Sequence, residues 1–408
     1  MAIRFLPFVA FASKACTEQW ASRSGVLTDY GSRIVLRFSL HAQGGKKMAL
    51  QVGLVGLRGI GNLHAQCHTK DPLSHLVAVC DVVKERADAA AQKYGVRAYY
   101  SLKDMLANEN LDVVDVTTGG YENGSWHFEP VMEALEAGKH VLVEKPISND
   151  IHEARQMVAK AAEKDLYLGC NLNHYFTPPA ERAKKYQQDG QIGELVYCLH
   201  KMGFNGGEEG YAYPASSRFA GFPYAHLKAF LTHPFSVMRY FCGDITHIQA
   251  FVSRPSFRTH EADPMLSIAG VNVRFVNGGV GYLLSQRGDA TFGLGGWWSF
   301  ELAGTKGTFC IENCIEKLTY WKAPGNTPPE VMNTGITDFN ATFPRRIHAF
   351  LEDVTNKVPR ENLRASGRDA LATMEYIFAV IESYESGGAM VRPHPLPLLK
   401  GDPASLLD

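Results

Sequence analysis

Apolar and polar positions fall into a regular pattern from Leu50 onward. Leu50 to Val55 is a short apolar run that predicts a strand, and Gly56-Leu57-Arg58-Gly59-Ile60-Gly61 follows at once. Asn62 to His68 can open a helix, and Leu76 to Cys80 is a second apolar run ending in Asp81. An Ala-rich stretch over 84–94 predicts a helix and leads through Tyr99-Tyr100-Ser101 to an amphipathic segment over 102–108. Val113-Val114-Asp115-Val116-Thr117 predicts a third strong strand, followed by a second glycine-rich loop, a helix over 127–137 and a strand over 140–143. Strands alternating with helices at this spacing predict a parallel, doubly wound α/β sheet. The chain has 408 residues, beyond the size at which one hydrophobic core usually stops growing, so a second domain is expected.

The first glycine-rich loop has a mechanical reading. Between a strand and a helix N-terminus, glycines permit a tight turn and bring backbone amides close to a pyrophosphate. Asp81 lies twenty residues beyond Gly61 at the end of the next strand, where a carboxylate can accept hydrogen bonds from the ribose hydroxyls of a dinucleotide. Gly56, Leu57, Arg58, Gly59, Ile60, Gly61 and Asp81 are therefore candidate cofactor-binding residues. Arg58 stands where a second glycine is usual; it is a solvated loop-tip residue, a lid on the pyrophosphate, or a partner for a 2′-phosphate. Asp81 would repel that phosphate, so NAD is expected rather than NADP. Thr117 and Thr118 at the end of the third strand, and His127 beyond the second loop, join the cofactor candidates.

Composition narrows the field. With 45% hydrophobic and 20% charged residues the chain has an ordinary globular make-up. Its formal net charge is −1, so neither nucleic acid nor an anionic membrane surface is an expected partner. The 8 cysteines are scattered with no Cys-x-x-Cys pair, which predicts reduced thiols, a cytoplasmic location and no metal site. No apolar stretch approaches the ~18 residues needed to span a bilayer. Residues 1–47 carry a faint signal-like run over Phe5–Ala12, broken by Pro7. The preferred reading treats them as an extension ahead of a true start at Met48, because Gly44-Gly45-Lys46-Lys47 can be encoded by a purine-rich stretch.

The run Ala134-Leu135-Glu136-Ala137-Gly138-Lys139-His140-Val141-Leu142-Val143-Glu144-Lys145-Pro146 closely resembles the glucose-fructose oxidoreductase / inositol dehydrogenase / MocA family. Lys306-Gly307-Thr308 and the helical stretch 343–386 also match its pattern, so the resemblance covers nearly everything after residue 48. It implies a Rossmann NAD-binding domain over 48–172, then an α+β domain over 173–386 with a large open, mostly antiparallel sheet for substrate and oligomerisation, and a tail over 387–408. It also implies a homodimer or homotetramer formed through that sheet. Glu144 and Lys145 become cofactor contacts. Pro146 biases Lys145 toward an extended conformation and permits a cis bond, holding the ammonium at the carboxyl end of a parallel strand. There it can polarise a reacting hydroxyl and stabilise an alkoxide.

Leu166 to Asn171 predicts the last Rossmann strand, and Leu172-Asn173-His174-Tyr175-Phe176-Thr177-Pro178 resembles the family's crossover into the second domain. Asn173 then lies near the nicotinamide, or else caps a turn. On the helix expected over 226–243, His233 matches the histidine of the family's Asp-x-x-x-His, while Ala229 stands at the aspartate position. Residues i and i+4 share a helical face, and histidine can accept and return a proton near neutral pH. His226, seven residues before His233, or Lys228, is the expected replacement for the aspartate; simple packing is the alternative for His226. Tyr211, Tyr213, Arg218, Tyr224 and Arg287 are candidate substrate contacts, with plain surface polar contacts an equal alternative. Of the adjacent Trp297 and Trp298, one is expected to pack inward and the other to face outward, to stack on a sugar ring or, preferentially, to bury a subunit interface.

The implied activity is hydride transfer between NAD and a carbinol carbon of a sugar or polyol, with Lys145 and His233 as the catalytic pair. Three alternatives stand beside it: an oxidoreductase that retains its nucleotide and works between two sugars or on a glycoside, reduction of an imine or enone, and a nucleotide-binding sensor without chemistry.

Overall fold

The computed structural model describes residues 49–204, 221–256, 265–287, 293 and 295–396. The expected extension over 1–47 and the candidate contacts Tyr211, Tyr213 and Arg218 lie outside the described residues.

The alternation read from the sequence becomes a six-stranded parallel sheet of β1 (Leu50–Val55), β2 (Ser74–Cys80), β3 (Arg97–Tyr99), β4 (Val113–Val116), β5 (His140–Val143) and β6 (Leu168–Cys170). Its strand order is β3-β2-β1-β4-β5-β6. The direction of winding reverses between β1 and β4, and ligands bind at such a switch point outside the carboxyl ends of the strands. Helices α1 (Gly59–Lys70), α2 (Lys84–Tyr94), α3 (Leu102–Asn108), α4 (Phe128–Glu136) and α5 (Ile151–Glu163) connect the strands. The short strand β3 was not legible beforehand; its residues are exposed or half-buried and carry little apolar signal.

A 3₁₀ turn over Asn173–Tyr175 leads into α6 (Pro178–Gln188), whose start is fixed by Thr177 Oγ1 accepting from Ala180 N–H and by prolines in the first turn. The second sheet has eight strands. In chain order they are β7 (Leu195–Phe204), β8 (Ile245–Ser253), β9 (Ile268–Phe275), β10 (Val280–Arg287), β11 (Trp298–Gly304), β12 (Gly307–Glu312), β13 (Lys317–Lys322) and β14 (Glu330–Asn333). They lie in the order β14-β13-β12-β11-β7-β10-β9-β8, antiparallel except for the parallel pair β10 and β7. Alternate residues along β9 are buried, so one face packs on helices and the other is open.

The stretch expected as one helix over 226–243 is two, α7 (Ala225–Phe230) and α8 (Thr232–Cys242). Pro234 has no N–H to give the carbonyl of Phe230, so the ladder is interrupted there. The C-terminal stretch is likewise divided into α9 (Thr342–Asn356) and α10 (Gly367–Glu385), with Lys357 in a left-handed conformation at φ 52° ending the first. A capping box between Ser366 and Asp369 starts α10. The first sheet is covered on one side by apolar residues of α1, α2 and α9, including Ala65, Ala90 and Phe350. The other side merges with the core beneath the second sheet, where α10 meets both α5 and β8. Arg155 on α5 makes a two-point ion pair with buried Glu375 on α10.

Candidate active site

The β1–α1 turn is built by close approach. Gly56 has φ +95°, a region in which only glycine is unstrained, and a Cβ on Gly61 would lie 1.8 Å from the Gly56 carbonyl oxygen. Thr117 at the end of β4 donates its hydroxyl to that same carbonyl at 2.6 Å. A Cβ on Gly59 would meet nothing within 4 Å, so the turn is open where the first amides of α1 emerge. No side chain caps that helix start, which leaves its N–H groups and positive dipole end for an anionic ligand.

Asp81, at the end of β2, is nearly buried and accepts Leu57 N–H at 2.8 Å and Val83 N–H at 2.9 Å. The carboxylate thus braces the turn as well as facing the cavity. Arg86, which sequence reading missed, lies 3.8 Å from Asp81 and lines the same end.

A cavity of about 1280 Å³ runs from this turn to the helices of the second half of the chain. Gly56, Arg58, Gly59, Ile60, Asp81, Thr117, Thr118, His127, Glu144, Lys145, Asn173 and His233 all line it, whereas Leu57 and Gly61 act from behind. His127 ties two loops together, with Nδ1 2.8 Å from the Pro146 carbonyl and Nε2 2.5 Å from that of Thr118. Burial holds its pKa below the ordinary value, against the pull of the two carbonyls. The Lys145–Pro146 peptide bond is cis.

Beneath Lys145 is a buried charged network that the sequence reading did not anticipate. Asp115, in the middle of β4, accepts through Oδ2 from His64 Nδ1 at 2.8 Å and His68 Nε2 at 2.9 Å. His64 Nε2 reaches Glu144 Oε1 at 3.0 Å, and Asn171 donates to the same oxygen. Lys145 N–H donates to Glu144 Oε2 at 3.1 Å. Burial disfavours the charge on His64, but Asp115 and Glu144 outweigh it and lift its pKa to about 10. Burial likewise opposes the charge on Asp115 and on Glu144. Asp115 is nevertheless held low by His64 and His68, and Glu144 by His64, Lys145 and Asn171. The signals were an aspartate inside an apolar strand and two histidines at i and i+4 on α1.

The far end of the cavity holds His233, stacked face to face on His174 with ring centroids 3.7 Å apart and planes 7° apart. Both rings are buried. Burial, and then the nearby Lys145 and His200, push the pKa of each well below 6.5, with His174 adding to the effect on His233. Lys145 Nζ lies 5.3 Å from the Phe230 ring centroid, and Phe230, Trp297, Phe339 and Phe343 give this end an aromatic lining. Asn173 donates to Thr342 Oγ1 at 2.7 Å, while its buried Oδ1 has no partner among the described residues. That orphaned acceptor, the uncapped α1 start and the open glycine turn all fit a dinucleotide bound with its nicotinamide near Lys145.

Four candidates lie away from the cavity lining. His226 is two helical turns before His233, a rise of ~10 Å, and its Nε2 meets Ser285 Oγ on β10 at 3.1 Å, away from the cavity lining. Lys228 turns to Glu122 Oε2 at 3.4 Å, and Tyr224 donates to Glu385 Oε1 at 2.5 Å; neither lines the cavity. Arg287 stands one ring away, its guanidinium 4.0 Å from the Phe230 ring centroid. Trp298 is the one of the pair that packs inward, and Trp297 lines the cavity. The turn at Gly295 and Gly296, both with positive φ, takes Trp297 out of strand alternation.

Comparison with known proteins agrees with this geometry. A family profile described as "oxidoreductase family, NAD-binding Rossmann fold" matches residues 50–172, and one described as "GFO/IDH/MocA C-terminal domain" matches 180–310. The chain belongs to the Gfo/Idh/MocA oxidoreductase family, and its Rossmann half is of the NAD-binding type. It is 25% identical over 293 residues to levoglucosan dehydrogenase of Pseudarthrobacter phenanthrenivorans, covering 64% of this chain and 72% of that protein. It is 33% identical over 150 residues to the inositol 2-dehydrogenase/D-chiro-inositol 3-dehydrogenase of Lactiplantibacillus plantarum. That match covers 35% of this chain and 41% of the enzyme. Among solved structures, levoglucosan dehydrogenase in complex with NADH and levoglucosan superimposes with a TM-score of 0.72 at 21% identity. The overlap covers 85% of this chain and all (100%) of that one, a likeness of fold.

Proposed function

We propose that this chain is an NAD-dependent dehydrogenase acting on a carbinol carbon of a sugar, polyol or sugar derivative. One observation carries the reading: Lys145, at the end of β5, and His233, on α8, line the same cavity as the β1–α1 glycine turn. Residues 48–172 then form the nucleotide-binding half and 173–386 the substrate half.

When bound, nicotinamide supplies the two-electron acceptor for the carbinol carbon. Lys145 donates a hydrogen bond to the substrate oxygen and stabilises the negative charge that grows there. His233 takes the hydroxyl proton. With its pKa held low, it is in the base form throughout the neutral range. Asn173 Oδ1 accepts from the carboxamide edge of the ligand, and the aromatic lining excludes water around the reacting atoms.

A homo-oligomer belongs to the same reading. Tyr197 and Leu199 on β7, Phe251 on β8, and Val280 and Tyr282 on β10 are exposed on the second sheet, an apolar face suited to a second copy. A cytoplasmic location is supported by the free thiols of the described cysteines. Among the described residues no helix is long and apolar enough to cross a membrane.

The test is nicotinamide absorbance on mixing full-length protein and NAD⁺ with a panel of polyols, aldoses, uronates and glycosides. Turnover on any of them supports the reading. Tight NAD⁺ binding with no turnover across the panel overturns the substrate assignment.

A further inference from the structure

Ala229 leaves the substrate pocket without the acidic partner expected four residues before His233, and neither His226 nor Lys228 lines the cavity in its place. The ring that does meet His233 comes from the crossover turn, 59 positions earlier in the chain. His174 lies flat on His233, ring centroids 3.7 Å apart. Trp298 Nε1–H donates to His174 Nδ1 at 3.0 Å. An indole nitrogen can only donate, so His174 Nδ1 must present a lone pair, and the neutral ring carries its proton on Nε2. Trp298 is itself 1% exposed and packs against the edge of His200. Phe339 and Trp297 meet the His174 ring edge-on, and its backbone carbonyl accepts from the Cys314 thiol at 3.5 Å. Two tautomers of a free imidazole are thereby reduced to one, with the Nε2 edge left for the cavity that His174 lines.

We propose that His174, locked by Trp298, replaces the missing carboxylate as a fixed N–H donor: it orients His233 by stacking and hydrogen-bonds an acceptor oxygen on the substrate beside the reacting carbinol. This rests on the dehydrogenase reading of the same cavity. A carboxylate would demand a hydroxyl there and repel an oxygen that can only accept. His174 reverses that rule, so glycosidic, carbonyl and carboxylate oxygens are welcome next to the carbon oxidised. Among the described residues facing the pair, Lys145 carries the positive charge, while His200, its pKa lowered by burial to about 3, is neutral. A substrate oxygen with negative or lone-pair character beside the carbinol therefore meets the Lys145 ammonium and the His174 N–H.

The test pairs kinetics with a tautomer measurement on full-length protein. Steady-state rates with D-glucuronate, methyl α-D-glucoside and myo-inositol are compared for the wild type, Trp298→Phe, His174→Phe and His174→Asp. Misplacing one catalytic contact costs on the order of a hundredfold, so His174→Phe is expected to lower kcat/KM about 100-fold and Trp298→Phe about 10-fold, with NAD⁺ Kd unchanged. His174→Asp is expected to move the ratio of glucuronate or glucoside turnover to inositol turnover toward inositol. An anion beside His233 should also raise the pH of the acid limb of kcat/KM, which a merely structural role would not move. Nitrogen-15 NMR of histidine-labelled protein should show His174 unprotonated at Nδ1 in the wild type and tautomer exchange in Trp298→Phe. A wild type that turns over while His174→Phe matches it sinks the proposal and leaves the dehydrogenase intact. Should no compound turn over, the substrate reading falls. The NMR still decides the lock, and a proton on Nδ1 of His174 overturns it.

Discussion

Replacing His64 by Ala tests the buried network beneath Lys145. His64 is fully buried and joins two carboxylates, Asp115 at 2.8 Å and Glu144 at 3.0 Å. Without it Asp115 keeps only His68, and Glu144 keeps Asn171 and the backbone of Lys145. Removing one member of a buried ion pair typically costs ~3–5 kcal/mol, because the remaining charge is left in a poorly solvating interior. Whole-protein stability is only ~5–15 kcal/mol, so the loss is a large share. At roughly 1–2 °C per kcal/mol for a chain of this size, the melting temperature should drop by about 4 °C or more. Its pH dependence has a definite sign. The folded pKa of His64 is raised to about 10, so its contribution is complete below the unfolded value of ~6.5 and fades as pH climbs toward 10. Asp115 and Glu144 are depressed, so theirs is complete above ~4.5 and fades in acid. Calorimetric melts of wild type and His64→Ala across pH 4–10 should therefore diverge most between roughly pH 4.5 and 6.5 and converge toward pH 10. His64→Gln, which keeps one donor, should fall between them. Melts within a degree of each other, or a gap independent of pH, would refute the charged network.

Gly61→Ala should abolish NAD⁺ binding by calorimetry, because its Cβ would overlap the Gly56 carbonyl and spread the glycine turn; unchanged affinity would contradict that packing. Asp81→Ser should shift the NAD⁺/NADP⁺ preference toward NADP⁺ by about tenfold, since it removes the carboxylate beside Arg86 from a cavity that Arg58 also lines. The acid limb of kcat/KM should lie below pH 6.5, because His233 must charge before activity is lost and its pKa is depressed; a limb above pH 7 would be inconsistent with its burial. The double substitution Leu199→Glu, Tyr282→Lys should yield monomers by light scattering if the open face joins subunits.

Much of the first half was legible because its signals are local. An apolar run followed by glycines, and a carboxylate twenty residues on, mark one turn of one sheet, and β1, α2, β4 and β5 appear where periodicity set them. Lys145 could be read because Pro146 and a strand end act on adjacent backbone. The second half resisted. The His174–His233 stack depends on how a 3₁₀ turn meets α8 across 59 positions, and no periodicity carries that distance. His226 looked suitable because helical phase was counted without rise along the axis. Trp297 and Trp298 obeyed strand alternation only until two glycines broke it. Lys228 and Tyr224 found acids, Glu122 and Glu385, from segments more than a hundred residues away.

The most direct test of the account is the turnover of a substrate found in the panel by wild type, Lys145→Ala and His233→Ala, with NAD⁺ affinity measured in parallel. Two residues acting on the reacting hydroxyl at the nicotinamide end of the cavity should each lose at least a hundredfold in kcat when replaced, while the glycine turn and Asp81 keep NAD⁺ Kd within threefold of wild type. If either variant retains wild-type kcat, that residue does not act on the reacting oxygen and the shared active site is wrong.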